Sequence, residues 1–222
     1  MCATPAPPPF SAPAPEMAPD LDLRPGEPTR STMPRWVQTC RGCGAIAPDL
    51  AALPARLRTT IDTPAYRALA DDAPQSPFLR WAMLAEALEE PDEAAPAVMQ
   101  AAWALDDAND PEGAAALRRR AAQLWGQGTT VQDALRVLDA WRRTGDLDAA
   151  RAQAAHLAAR PALEDTDRVV LHFQEGLIAT GDTARHLLSA ALRPPARTPH
   201  VTHGRRPAPK AAPSLWHRLF GR

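Results

Sequence analysis

The chain has 222 residues, a formal net charge of −1 and 25 prolines, which lie mainly in residues 1–96 and 193–222 and limit the length available for a packed core. Its three cysteines exclude a disulfide-rich framework, so a reducing, cytoplasmic location is expected. No apolar run approaches the roughly 20 residues of a membrane-spanning helix, which excludes a chain built of such helices.

Residues 1–32 form a Pro/Ala-rich leader that is predicted to be disordered, because it carries too few large apolar side chains to bury. The composition changes abruptly at Met33, which is an alternative translation start. A proline-rich linker that binds partners is the other interpretation of the leader.

Residues 33–62 are predicted to form a small segment around the sequence Cys40-Arg-Gly-Cys43-Gly44. Two thiolates on a tight turn can bind one Zn²⁺, but a structural zinc takes four ligands and no further cysteine follows. Cys40 and Cys43 would therefore need a distant histidine, a partner protein, or a second chain in a homodimer that shares the metal. The segment resembles the first half of a bacterial zinc ribbon. A redox pair and a pair of thiols without metal remain open alternatives.

Residues 63–192 are predicted to form an α-helical domain, in which the 3.6-residue period of amphipathic helices begins at Ser76. Ser76-Pro77 predicts a first helix that ends near Glu90. A second helix is expected between about residues 91 and 105. A start at Pro96 is the alternative, because a proline in the interior breaks a helix. Asp110-Pro111 and Thr130 predict the starts of two more helices.

Thr144-Gly145-Asp146 recurs 36 residues later as Thr180-Gly181-Asp182. Each copy is expected to end one helix at glycine and to cap the next with aspartate. Helices are therefore predicted after Asp146, from beyond Pro161 through Leu177, and finally over Leu187 to Ala191.

The stretch AWRRTGDLDAARAQAAHLAAR, which contains the first copy, resembles the turn and second helix of a tetratricopeptide repeat. The resemblance implies an all-α fold of antiparallel helical hairpins stacked in a short array. It also implies that the body binds a peptide or another protein in a concave groove.

Three tryptophans are spaced by 22 residues, which suggests an aromatic ligand cage; they are Trp81, Trp103 and Trp125. Their positions on the helix stripes favour core packing instead. Acidic residues cluster where helices end, which favours caps and solvated turns over a cation site or paired catalytic carboxylates. These residues are Glu89, Glu90, Asp92, Glu93, Asp106, Asp107 and Asp110.

Residues 193–222 carry seven basic side chains and no acidic ones, so the remaining chain has 18 basic and 26 acidic residues. This basic, Pro-rich linker ends in a short amphipathic peptide, whose expected partner-binding residues are Leu215, Trp216, Leu219 and Phe220. The peptide is expected to bind a partner or the protein's own groove. Weak peripheral contact with a membrane and contact with nucleic acid are the alternatives.

These patterns favour a non-enzymatic adaptor that binds another protein through its helical body, and no catalytic residues are predicted. A zinc-dependent, nucleic-acid-associated protein that uses the cysteine pair and the basic tail is one alternative. A thiol redox protein is another.

Overall fold

The computed structural model describes residues 6–69, 72–126, 128–161 and 163–192 and confirms the all-α class. In the described part of the chain, α-helices follow two short antiparallel strands, β1 (Gln38–Thr39) and β2 (Ile46–Ala47). The helices are α1 (Arg58–Ile61), α2 (Pro64–Arg67), α3 (Ser76–Ala87), α4 (Pro91–Asp107), α5 (Pro111–Trp125), α6 (Val131–Arg143), α7 (Leu147–Ala158), α8 (Asp165–Ala179) and α9 (Leu188–Ala191). Short 3₁₀-helices occupy Arg30–Arg35 and Ala55–Leu57.

Local capping explains where several helices begin and end. Asp110 accepts a hydrogen bond from Gly113 N at 2.9 Å at the start of α5, and Thr130 accepts one from Asp133 N at 3.0 Å at the start of α6. Gly145 has φ +78°, a left-handed conformation that favours glycine, and it ends α6. The predicted starts at Asp110 and Thr130 are therefore confirmed.

The second helix, α4, begins at Pro91 and ends at Asp107, close to the expected range, and it contains Pro96. The alternative start at Pro96 is therefore wrong. Pro91 occupies the first turn, where its missing N–H leaves no intrahelical bond unmade. Ala94 and Ala95 are fully buried, so packing of the first turns compensates for the hydrogen bond that Pro96 cannot donate.

The second Thr-Gly-Asp copy does not start a full helix. Gly181 has φ +70°, as expected for a helix end, but residues 182–187 are irregular and α9 spans only Leu188–Ala191. Backbone pairing explains the difference, because Leu187 forms an antiparallel bridge with Asp20 and Leu188 N donates to Pro19 O at 2.8 Å. In the first copy Asp146 lies at the cap position, yet its side chain accepts from Arg119 and Thr144 instead.

Consecutive helices pack against each other from α3 to α8, and two apolar clusters form the core. One cluster joins the two-stranded sheet to α3, α4, α5 and one face of α6. The other joins the opposite face of α6 to α7, α8 and α9. The expected cysteine segment therefore shares its core with the helices that follow it.

Residues 16–27, here called the leader loop, fold back on themselves and pack against the helices. Glu16 N and Met17 N donate to Glu27 O, and Asp20 N donates to Arg24 O at 3.0 Å. A Cβ at position 26 would lie 2.2 Å from Met17 O, so this close approach requires Gly26. Leu21 is 1% exposed. The leader loop thus differs from the disordered leader that the composition predicted.

None of the described helices combines the length and the apolar character needed to cross a membrane.

Candidate functional site

Cys40 and Cys43 lie on the turn between β1 and β2. Cys40 N donates to Ala45 O and Gly44 N donates to Cys40 O, both at 2.8 Å, and Gly44 takes φ +74°. Cys40 is buried, Cys43 is half-buried, and neither belongs to a disulfide. The turn geometry is thus the one that the sequence predicted.

Tyr66 fixes this turn to the helical body. Its hydroxyl donates to Gly44 O at 3.0 Å, and its side chain is almost fully buried. Burial raises the pKa of Tyr66 to about 12. The phenol therefore stays protonated and remains a hydrogen-bond donor at neutral pH.

Among the described residues, no group of three or more His, Cys, Asp or Glu side chains is placed to hold a metal ion. Cys40 and Cys43 offer two thiolates, half of what a structural zinc takes. Zinc shared by a homodimer stays a prediction, which a ratio of one metal per two chains in purified protein would test.

The leader loop carries the buried charges that contact the helices. Asp22 is fully buried and accepts hydrogen bonds from Trp103 Nε1 at 2.9 Å and from Arg143 Nη1 at 3.2 Å. Arg24, also buried, forms an ion pair with Asp107 and lies over the Trp103 ring at 6.0 Å. The loop is therefore held to both α4 and α6 by charged groups.

Arg118 on α5 completes this network. It donates from both terminal nitrogens to Asp106, while Arg143 Nη2 donates to Asp106 at 3.3 Å. Burial alone would raise the pKa of Asp106, but the hydrogen bonds and charge of Arg118 lower it below the ordinary value. Next to this network, Arg142 forms a fully buried ion pair with Asp139 at 2.7 Å. The guanidinium groups and carboxylates neutralise each other, and the arginines are buried while Asp107 reaches solvent.

Asp20 is the buried carboxylate with the weakest pairing in the leader loop. Its closest cation is Arg30, at 2.9 Å in an ion pair, and neither of its oxygens accepts a hydrogen bond. Burial raises its pKa, and the neighbouring charge of Asp22 raises it further.

An open surface runs across α4 and has aromatic and proline walls. We call it the α4 groove and define it by Trp36, Pro48, Trp81, Glu93, Pro96 and Ala97, which line a depression of about 300 Å³. A second depression of about 430 Å³ continues it and shares Pro48, Trp81 and Glu93. The groove is therefore elongated, with its two parts side by side.

The two ends of the α4 groove differ in character. Phe10 and Ala12 of the proline-rich leader line one end, where Arg35 lies 4.2 Å from the centre of the Phe10 ring. Asp49, Glu90 and Arg56 join Glu93 in lining the other end. One end is thus partly covered by an irregular Pro-rich segment. The other, here called the open end, has three acidic side chains and one basic side chain among its lining residues.

Two of the three tryptophans expected in the core are buried there, and the third packs against its edge. Trp81 is 8% and Trp103 is 7% exposed, whereas Trp125 is half-buried beside Arg136. The small exposed parts of Trp81 and of Trp36, which packs edge-on against Trp103, face the α4 groove. Sequence spacing gave no signal for this surface, because Trp36, Pro48 and Trp81 come from separate elements.

The acidic clusters divide between two roles. Asp110 caps α5 as expected, but Asp106 and Asp107 pair with buried arginines. Glu90 and Glu93 lie at the start of α4 and line the groove. The expected partner-binding residues lie outside the described residues; they are Leu215, Trp216, Leu219 and Phe220.

The chain matches no protein-family model, and comparisons with curated proteins and with solved structures give no significant match.

Proposed function

We propose that the chain is a non-enzymatic adaptor that binds an extended segment of another protein on its helical body. The α4 groove is the observation that carries this proposal. It is elongated, aromatic and proline side chains are five of the nine residues that line its first depression, and a Pro-rich segment of the leader already lies at that end. Grooves of this composition suit extended, proline-containing peptides, which lose little conformational entropy on binding.

The placement of the buried charges supports a binding role over a catalytic one. Asp22, Asp106 and Asp139 are engaged by arginines inside the protein. Groups used in acid–base catalysis must instead reach a substrate in a cleft. The tetratricopeptide resemblance adds to the proposal, because repeats of that class generally bind peptides or proteins.

A groove-filling substitution tests the proposal. Gln100 is half-buried on α4 and lines the groove, so Gln100→Trp would fill the space that a partner segment needs. Gln123 lies exposed on α5, and Gln123→Trp is the matched control. The two full-length variants and the unaltered chain would be used to isolate bound proteins from native cells, and the affinity of purified candidates would be measured by calorimetry.

A partner retained by the unaltered chain and by Gln123→Trp, but lost with Gln100→Trp, is the expected result. Equal binding of each purified partner by all three chains would reject the α4 groove as the adaptor site.

A further inference from the structure

The open end of the α4 groove carries an excess of negative charge. Asp49, Glu90 and Glu93 lie there with one cation, Arg56. No ion pair joins Glu90 or Glu93 to a described arginine, and both carboxylates are exposed. An occupant of this end would therefore gain from positive charge.

The environment of Glu93 shows that the local charges are not balanced. Partial burial raises its pKa, and the charges of Glu90 and Asp92 raise it further. Glu93 lies in the first turn of α4, where the helix dipole favours a carboxylate. Burial is the largest cause of the raised pKa, and the two neighbouring carboxylates add to it.

The chain contains a segment whose sequence complements this surface. Residues 193–222 hold seven basic side chains, no acidic ones and six prolines. Within them, residues 205–213 read RRPAPKAAP, which combines three cations with three prolines. The opposite end of the same groove already contacts a Pro-rich segment, at Phe10 and Ala12. The groove thus favours a proline-rich backbone, and its open end favours positive charge. Residues 205–213 have both properties.

The length of chain is sufficient for binding within one molecule. The described part ends at Leu192, and the 18 residues to Lys210 span about 60 Å when extended. A domain of this size has a diameter of about 40 Å. Attachment through this linker would also keep the local concentration of the segment high.

We propose that residues 205–213 bind across the open end of the α4 groove of the same chain, with their cations beside Glu90 and Glu93. The inference rests on the proposed function in that it places a competing occupant in the adaptor groove. A partner segment must then displace residues 205–213, so the tail sets the threshold for partner binding.

Lys210 is the only lysine in the chain, so zero-length cross-linking with a carbodiimide reports specifically on this side chain. A carbodiimide joins an amine to a carboxylate only when the two are in direct contact. The purified full-length chain would be treated at low ionic strength, the monomer would be separated, and its cross-linked peptides would be mapped by mass spectrometry. The expected result is a link from Lys210 to Glu93 or Glu90 within the monomer.

Two variants sharpen the result. Glu90→Gln should lower the yield of the Lys210–Glu93 link about two- to fivefold, as expected for loss of one exposed charge pair. Asp148→Asn removes a fully exposed carboxylate on α7 and should leave the yield unchanged. The link should also decrease in 1 M salt, where the Debye length falls to about 3 Å.

Three results would overturn the inference. They are the absence of a link from Lys210 to Glu90 or Glu93, links found only in covalent dimers, and a link from Lys210 to Asp148 that forms in the same yield as the link to Glu93. A link found only in dimers would assign the groove to a second copy of the chain. The experiment contains no partner protein, so its failure would leave the Gln100→Trp result intact. Conversely, the link would persist if the groove proved to bind no other protein.

Discussion

Replacement of Asp22 by alanine is expected to be among the most destabilising single changes in this protein. Asp22 is fully buried and accepts hydrogen bonds from Trp103 and Arg143. Its loss leaves the indole N–H and the nearby guanidinium groups without this acceptor. Breaking a buried ion pair by removing one partner costs about 3–5 kcal/mol. Because Arg118 retains Asp106, we expect the lower end of this range, about 3 kcal/mol.

Urea unfolding followed by circular dichroism measures this loss as a change in the free energy of unfolding. Asp148→Ala is the control, since its carboxylate is fully exposed in an ion pair with Arg151 and its removal should cost far less than that of Asp22. Trp103→Phe removes the hydrogen bond that the indole donates to Asp22, and a hydrogen bond to a charged acceptor contributes about 1.5–3 kcal/mol. This contribution to the free energy of unfolding should be absent when Asp22 is already alanine. A loss below about 1 kcal/mol for Asp22→Ala, or additive effects of the two substitutions, would refute the assigned network.

Three further changes probe the leader loop and the cysteine turn. Leu21→Ala should cost about 2–5 kcal/mol in urea unfolding, because Leu21 is buried in the core; a loss near zero would mean that the loop is not held there. The raised pKa of Asp20 means that the folded state binds its proton more readily than the unfolded state, so its ionisation lowers stability as pH rises through that range. Asp20→Asn should therefore gain stability relative to the unaltered chain between about pH 4 and neutrality, and a deficit that grows with pH would contradict this. Tyr66→Phe should cost about 1 kcal/mol and speed alkylation of the cysteines, since it removes the hydrogen bond to Gly44 O; unchanged stability and unchanged alkylation would argue against this anchor.

The parts of the fold that the sequence predicts are those with local causes. Thr130 and Asp110 cap helices through hydrogen bonds to residues three positions away, and Gly145 ends a helix by its own backbone conformation. Each such signal is contained in a short stretch of sequence, so it can be recognised without knowing the tertiary structure. The cysteine turn is predictable for the same reason.

The leader loop is not predictable in this way, because its stability comes from distant residues. Asp22 and Trp103 are 81 positions apart, and Asp22 and Arg143 are 121 apart. The composition of residues 1–32 records many prolines and few large apolar residues, but it does not record that Leu21 and Asp22 have partners elsewhere. The short α9 has a similar cause, since residues 186–188 pair with the leader loop instead of continuing a helix.

The α4 groove was missed for a geometric reason. Trp36, Pro48 and Trp81 belong to a 3₁₀ turn cap, a loop and a helix, and only packing brings them together. Periodicity correctly indicates that Trp81 is buried, but it does not indicate that its exposed edge faces a depression shared with the other two residues.

The bridge between Asp20 and Leu187 has a consequence for synthesis of the protein. In a simple array of helical repeats, each unit contacts only its neighbours and can form as soon as it leaves the ribosome. Here Asp20 must wait until 167 further residues have been translated before its backbone partner, Leu187, exists. Contacts of such sequence separation slow folding, but they also join the first and last parts of the stack into one cooperative unit. Loss of either end should therefore unfold more of the molecule than its nearest helix.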